Sequence, residues 1–321
     1  MKQVVSVRGL KKRFSIRGGF HEAVCGIDLH VEEGEIFGFL GPNGAGKTTT
    51  LRMFTTLLPI DAGEAFIAGY NVQTESAAVR TQIGFVSQSG GSDRSATGRE
   101  NLILQARLTG LGRLEAKSRS AELIETLALE DCIDRFVSTY SGGQKRRLDI
   151  ALGLLHRPKV LFLDEPSAGL DPQNRSNLWQ LIKELKRFGV AVFLTSHYLD
   201  EVDYLSDRLA IMDLGKIIAA GTPKELKKEI AGDVITMGIH PETVARTLAL
   251  LKLRPFVREI AEAAKEVQLF VDNGEEALPQ LLRLLDTEQI TLKTITLTTP
   301  TLNDVFLKKT GKSLREGEFI S

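Results

Sequence analysis

A glycine-rich stretch that ends in lysine and threonine is the strongest chemical signal in the sequence. FLGPNGAGKTTT continues the apolar run EIFGFL (35–40) and opens a segment with helical spacing. Glycines let main-chain N–H groups converge on phosphate oxygens. The lysine supplies a positive charge to the β- and γ-phosphates, and the hydroxyl of the next residue is placed to bind Mg²⁺. The pattern predicts a nucleoside-triphosphate site. Its predicted residues are Gly41, Pro42, Asn43, Gly44, Ala45, Gly46, Lys47, Thr48 and Thr49.

Two acidic residues end a second apolar run, KVLFLDEP. In an open α/β sheet the ligand lies at the carboxyl edge of the strands, so Asp164 and Glu165 are expected at the phosphate site. We predict that Asp164 and the Thr48 hydroxyl hold Mg²⁺, and that Glu165 orients or deprotonates the attacking water. Two acids at a strand end are also common at a solvated surface. The phosphate loop in the same sheet favours the catalytic interpretation.

Gln88 and His197 each follow another apolar run, QIGFVS (82–87) and VAVFLTS (190–196). Both would therefore lie at the ligand edge of the sheet. His197 is predicted to contact the γ-phosphate, and Gln88 to approach the metal and the water. Five histidines occur in the chain, and an arbitrary histidine is more often structural than catalytic. The order of these residues along the chain is what supports their assignment.

A second phosphate-binding pattern lies in SGGQKRRLDIALGLLH (141–156). A hydroxyl and two glycines precede an apolar helix, and the N-terminus of a helix is a favourable place for an anion. The same residues also make an ordinary helix N-cap. The residues alone leave open why one chain would need two phosphate sites.

The chain resembles the nucleotide-binding subunit of an ATP-binding-cassette transporter over residues 1 to about 230. The resemblance rests on motifs that occur in the order of that family. These are GPNGAGKTT, Gln88, the signature SGGQ (141–144), LFLDEP, SAGLD ending in the D-loop residue Asp171, and the switch histidine His197.

The resemblance implies an ATPase that works as a pair of domains closed head to tail. Each signature would face the ATP held by the other domain's phosphate loop, and intact motifs favour a second copy of the same chain as partner. Ser141, Gly142, Gly143 and Gln144 would thus act on the partner's nucleotide. Phe14, in KKRF, occupies the place of the aromatic residue that stacks on adenine, and Phe20 is its rival.

Three segments resemble the exporter branch typified by daunorubicin-resistance ATPases: TGRENLILQARLTGL (97–111), SAGLD and TPTLNDVFLKKTGK (299–312). This implies an ATP-hydrolysing subunit that powers efflux of a hydrophobic drug, lipid or glycan. A separate membrane permease would insert cytoplasmic helices into a groove beside Gln88 and the helices of 97–130. The chain is accordingly expected at the cytoplasmic face of the membrane.

The competing interpretation is a soluble cassette ATPase acting on nucleic acid or ribosomes. Such chains usually carry two cassettes or long insertions. Here 41 basic and 41 acidic side chains cancel, so no nucleic-acid partner is expected. Cys25 and Cys132 have no metal-ligand spacing, and no run approaches the ~18 apolar residues of a spanning helix.

The alternation of apolar runs and helical segments predicts an α/β fold. We expect a P-loop NTPase cassette (1–231) with a mixed sheet, an antiparallel β layer and an inserted subdomain, helical throughout, at about 97–156. A small α+β accessory domain is expected at 232–321. Its predicted strands and helices are ITMGIH, EVQLFVD and ITLKTITLTTP, with PETVARTLALL and GEEALPQLLRLLD.

Overall fold

The computed structural model describes residues 2–228, 232–252, 254–263 and 266–310. Contacts between Cα atoms divide the chain into two compact units, which meet at Ala220 and Gly221. The sequence places this boundary later, after residue 231. The difference is a short helix at Pro223–Lys228, which packs against the last helix of the second unit and so belongs with it.

The first unit contains ten strands and seven α-helices within its described residues. They are β1 (Gln3–Ile16), β2 (Gly19–Glu32), β3 (Ile36–Leu40), α1 (Lys47–Phe54), β4 (Ala62–Ile67), β5 (Tyr70–Asn71), α2 (Ser76–Gln82), β6 (Ile83–Val86), α3 (Gly98–Leu108), α4 (Arg113–Thr126), α5 (Gly142–Leu154), β7 (Val160–Asp164), α6 (Pro172–Leu185), β8 (Ala191–Ser196), α7 (Leu199–Leu205), β9 (Arg208–Asp213) and β10 (Lys216–Gly221).

The central sheet has six strands in the order β10-β9-β3-β8-β7-β6. Neighbours from β9 to β6 pair in parallel. Every residue of β3, β7 and β8 is buried, because layers cover both faces of the sheet, and this explains their near-continuous apolar sequences. Parallel strands end at one edge, so the segments after β3, β6, β7 and β8 converge there.

A second sheet, in the order β2-β1-β4-β5, is antiparallel. Its inward side chains share one apolar core with the central sheet and α1, where Phe54 contacts Phe162 and Phe193 of the central sheet. The predicted α/β cassette with an antiparallel layer is thereby confirmed.

The inserted segment is helical at α3, α4 and α5, but the expectation that 97–156 is helical throughout is wrong for 127–141. This stretch holds one 3₁₀ turn at Val137–Thr139 and a single bridge between Thr97 and Phe136. Ala128 has a φ of 48°, which ends α4, and the Tyr140 hydroxyl donates to the Cys132 carbonyl at 2.7 Å. This part of the subdomain is therefore built from isolated turns, such as the one closed by the hydrogen bond from the Ile133 N–H to the Leu129 carbonyl (2.9 Å), and holds no α-helix among its described residues.

The second unit is an α+β domain. Its elements are α8 (Pro223–Lys228), β11 (Asp233–Ile239), α9 (Val244–Leu251), β12 (Val257–Ala263), β13 (Glu266–Val271), α10 (Gly274–Thr287), β14 (Leu292–Thr298) and α11 (Leu302–Thr310). The strands form a sheet in the order β12-β13-β11-β14, and α9 and α10 supply side chains to its core. Neither β12 nor α11 was predicted. β12 is an edge strand, and its sequence VREIAEA lacks the regular alternation of apolar and polar residues that indicates a strand.

Among the helices of the described residues, none has both the length and the apolar character needed to cross a bilayer.

Candidate nucleotide site

The phosphate loop (41–48) connects β3 to α1, which begins at Lys47. Gly46 has a φ of 107°, and a Cβ there would lie 2.3 Å from the Ala23 carbonyl oxygen. A Cβ on Gly41 would lie 2.2 Å from the Met212 carbonyl oxygen. Main chain contacts the loop at both positions, so only glycine fits and the loop's own N–H groups can be brought close to an anion.

Lys47 is 4% exposed and is held inside the loop. Its Nζ donates to the carbonyls of Gly41 (2.7 Å) and Pro42 (3.0 Å), and lies 3.8 Å from Glu165 Oε1. Burial lowers the pKa of the Lys47 ammonium, while the carboxylates of Glu165 and Asp164 act in the opposite direction. The ammonium therefore lies between the loop carbonyls and two carboxylates. A bound phosphate can take the place of the carbonyls as the acceptor of its hydrogen bonds.

Asp164 and Thr48 form a pair of oxygen donors beside the loop. The Thr48 hydroxyl donates to Asp164 Oδ1 at 3.2 Å, and the Thr195 hydroxyl donates to the same oxygen at 2.7 Å. Asp164 is 6% exposed and ends β7. A carboxylate and a hydroxyl are the hard ligands that Mg²⁺ prefers when substrate phosphates complete its shell, so these residues fit that ion.

Glu165 is the residue on which the predicted catalytic groups converge. Gln88 Nε2 donates to its Oε2 at 3.1 Å, and His197 Nδ1 approaches the same oxygen at 3.3 Å, outside good hydrogen-bond geometry. The proximity of the His197 imidazole and the charge of Lys47 hold the pKa of Glu165 below its ordinary value, against the opposing effect of burial. An ionised carboxylate is the form that can accept a proton from water.

The main chain at Glu165 is strained. Its φ is 45°, a left-handed conformation that is uncommon outside glycine. Its N–H donates to both the carbonyl and the hydroxyl of Thr195, each at 3.1 Å. Thr195 thus joins Asp164 to Glu165. The sequence analysis missed it, although its place just before the end of β8 put it at the ligand edge.

A cavity of about 260 Å³ opens beside the phosphate loop. Phe14 lines it, whereas its rival Phe20 does not and instead lies under the Arg13 guanidinium, 4.9 Å from its ring centroid. His21, paired with Phe14 across β1 and β2, also lines the cavity and was not predicted. The other lining residues are Ala23, Asn43, Gly44, Gly46, Lys47, Thr48, Thr49 and Glu165.

The signature (141–144) begins α5 and does not line this cavity. Ser141 is the N-cap: its Oγ accepts from the Gln144 N–H at 3.2 Å, and Gln144 Oε1 accepts from the Ser141 N–H at 3.0 Å. Ser141 and Gly142 are exposed. A capped helix N-terminus at the surface can receive an anion brought by another molecule.

Asp171 of the D-loop is the N-cap of α6, and its Oδ1 accepts from the Asn174 N–H at 3.0 Å. That hydrogen bond keeps the pKa of Asp171 below its ordinary value. A Cβ on Gly143 would lie 2.4 Å from Asn174 Oδ1, so α5 and α6 meet closely at their N-termini. The D-loop and the signature are therefore neighbours, and neither lines the cavity beside the phosphate loop.

Family models match both parts of the chain. The model described as ABC transporter matches residues 24–168, and the model described as ATP-binding protein DrrA1-3-like, C-terminal domain, matches residues 221–310.

Relatives that match this chain over almost its whole length are named as drug-resistance proteins. The chain is 40% identical to the daunorubicin resistance ATP-binding protein DrrA3 of Streptomyces coeruleorubidus, over 98% of each chain. It is 34% identical to the linearmycin resistance ATP-binding protein LnrL of Bacillus subtilis, over 98% of this chain and 100% of that one.

Among solved structures, the ADP conformation of MJ1267, an ATP-binding cassette of an ABC transporter, superposes with a TM-score of 0.62 at 26% identity. The match covers 70% of this chain and 93% of that one.

Proposed function

Because this chain belongs to the ATP-binding-cassette transporter family, we propose that its site hydrolyses ATP by the concerted action of Glu165, Gln88, His197 and Lys47. One observation carries the assignment: a single carboxylate contacts Gln88, His197 and Lys47 beside a glycine-only phosphate loop. The competing function on nucleic acid or ribosomes has no such support, and the named relatives are resistance proteins.

The site residues fall into two groups, those that bind the nucleotide and those that act on the attacking water and the γ-phosphate. Loop N–H groups and Lys47 bind the phosphates, and Phe14 contacts the base. Thr48 and Asp164 would hold Mg²⁺, which when bound neutralises phosphate charge. Glu165 accepts the proton of the attacking water, Gln88 orients that water, and His197 contacts the γ-phosphate.

The signature supports a site shared between two copies of the chain. Its capped, exposed helix N-terminus lies apart from the chain's own phosphate cavity. An anion at this N-terminus would therefore come from another chain. We assign Ser141, Gly142, Gly143 and Gln144 to the γ-phosphate of ATP bound by the partner, in a homodimer closed head to tail.

A groove in the first unit supports docking of a separate permease. A cavity of about 380 Å³ is lined by Ser87 and Gly90, on either side of Gln88, and by Gln105 of α3. Leu57 also lines this cavity and is 61% exposed, and Leu104, which precedes Gln105 on α3, is 59% exposed. A cytoplasmic helix of an exporter permease would cover these apolar side chains and lie against the loop that carries Gln88. The transported molecule is proposed to be a hydrophobic drug, lipid or glycan.

The ATPase assignment is tested by Glu165→Gln. This change keeps the size and polarity of the side chain but removes the proton acceptor, so multiple-turnover hydrolysis should fall ~10²–10⁴-fold while the ATP dissociation constant stays close to wild type. Glu184→Gln, an exposed position on α6, is the matched control and should keep full turnover. Wild-type turnover in Glu165→Gln would remove Glu165 from the role of base.

The docking assignment is tested by Leu57→Glu, because Leu57 lines the groove. A charge in the groove should reduce co-purification with the permease encoded beside this chain, while hydrolysis by the isolated chain is unchanged. Leu282→Glu, an exposed leucine of α10 in the second unit, is the control and should retain the permease. Equal recovery of the permease with both variants would contradict docking at this groove.

A further inference from the structure

Arg146 lies on the second turn of α5 and is 6% exposed. All three nitrogens of its guanidinium donate to main-chain carbonyls. Nε donates to Pro166 (2.8 Å), Nη1 to Ser87 (2.7 Å) and Nη2 to Asp164 (3.1 Å). A planar group with fixed donor directions is needed to reach three separate acceptors at once.

The acceptors of Arg146 are the chain neighbours of two site residues. Asp164 and Pro166 flank Glu165, and Ser87 precedes Gln88. One guanidinium therefore holds the main chain on both sides of Glu165 and on one side of Gln88. These two side chains are in direct contact at 3.1 Å, so the length of that contact depends on where Arg146 holds their backbones.

Helix α5 also holds the rest of the loop that carries Gln88. Lys145 Nζ donates to the Ser89 carbonyl at 2.9 Å. Asp149 Oδ1 accepts from the N–H groups of Gly91 and Ser92, each at 3.1 Å. Side chains from one helix thus contact segment 87–92 at both ends, and the N-terminus of that helix is the signature.

We propose that Arg146 is a positioning residue that sets the Gln88–Glu165 contact and holds Glu165 in its left-handed conformation. A strained conformation persists only when surrounding contacts fix it, and Arg146 supplies them on both sides of Glu165. Because Arg146 lies on α5, the same contacts join the catalytic carboxylate to the helix that presents the signature. This inference rests on the proposed ATPase site and adds to it a residue that touches no reacting atom.

The test compares Arg146→Gln and Arg146→Lys with Arg119→Gln in the full-length chain. Arg119 is the matched control because its side chain is 13% exposed and also donates to main-chain carbonyls, those of Leu154 (2.9 Å) and Leu155 (3.3 Å) at the C-terminal end of α5. At equal amounts of folded protein, Arg146→Gln should lower kcat for ATP about 10²-fold, as expected for misplaced catalytic groups, and leave KM nearly unchanged. Arg146→Lys should be intermediate, and Arg119→Gln should keep wild-type kcat.

Hydrogen exchange of segment 87–92 is the second measurement, and it separates positioning from a general loss of structure. Exchange there should be faster in Arg146→Gln than in wild type or Arg119→Gln, with the phosphate-loop segment unchanged. If Arg146→Gln does not fold, Arg146→Lys decides by the same two readouts.

Three results would overturn the inference: a wild-type kcat in the Arg146 variants, an equal kcat loss in Arg119→Gln, or lost kcat with unchanged exchange at 87–92. Failure of the ATPase assignment would show instead as wild-type turnover in Glu165→Gln, so the two failures can be told apart.

Discussion

At the scale of single residues, the site depends on opposite charges held close together. Lys47 and Glu165 are 3.8 Å apart, and their side chains are 4% and 11% exposed. Burial lowers the pKa of Lys47, whereas His197 and Lys47 lower that of Glu165. The environment therefore keeps the carboxylate ionised, as a base for water must be.

The pKa of Glu165 should rise in His197→Ala, because the imidazole is the main group that lowers it. When the pKa of a carboxyl is lower in the folded than in the unfolded chain, the carboxylate adds to the free energy of unfolding at any pH above the unfolded-state pKa. This stabilisation is lost as the pH falls through the folded-state pKa. In the variant this loss begins at a higher pH. Titration of the ¹³C-labelled carboxyl by NMR checks the shift. Glu100, whose low pKa comes from the Thr97 N–H, is the internal control and should not move. An unmoved Glu165 would contradict the role given to His197.

At the scale of elements, most of the first unit could be predicted because the inner strands of the central sheet, β3, β7 and β8, are buried on both faces. Such strands are short apolar runs, and the polar residue after each run marks the ligand edge. The segment 127–141 could not be predicted in this way, since its hydrogen bonds close isolated turns and do not continue into a helix or strand with a regular apolar period. His21 reaches the cavity through the register of β1 and β2, which local sequence does not encode.

Functional residues that directly follow a strand could be predicted from the sequence. Residues whose side chains bind main-chain groups of the site were harder to predict. Gln88, Glu165 and His197 are of the first kind, and the structure brings them together. Arg146 binds backbone groups from within a helix, so no spacing in the sequence identifies it, whereas Thr195 could have been found from its place just before the end of β8. The function of Arg146 follows only from three-dimensional contacts.

The close contact between the phosphate loop and β2 is tested by Gly46→Ala. Positive φ alone costs about 1–2 kcal/mol for alanine, and contact with the Ala23 carbonyl adds a packing penalty of about 1–3 kcal/mol. Gly34→Ala is the matched control, because Gly34 also has positive φ (71°) but no atom lies within 4 Å of its Cβ position. Urea unfolding and ATP titration should show the larger loss of stability, and a loss of ATP affinity, only in Gly46→Ala. Equal losses in both variants would rule out the steric contact.

At the scale of the whole molecule, the chain combines a nucleotide unit with a second α+β unit. We propose that the first unit carries all of the ATP chemistry and that the second unit, which begins at Gly221, forms an accessory domain. Every predicted site residue lies in the first unit, and the second has its own apolar core. The phosphate loop and the signature of one chain do not share a cavity, which supports the proposal that another chain completes the site.

The central claim, that one ATP lies between the phosphate loop of one chain and the signature of another, is tested most directly by mixing two inactive variants. Ser141→Arg puts a long charged side chain at the signature, and Lys47→Ala removes the phosphate-loop charge. In a mixed head-to-tail dimer both defects fall in one site, and the other site is wild type in every contacting group. The account predicts that ATP hydrolysis reappears in the mixture and in neither pure variant.

The same mixture is assayed for ATP-dependent crosslinking between cysteines placed at Asn43 and Gln144, after replacement of Cys25 and Cys132. The account predicts a crosslink between the two chains, formed only with ATP. A demonstrably mixed dimer that neither hydrolyses ATP nor forms this crosslink would contradict the shared site.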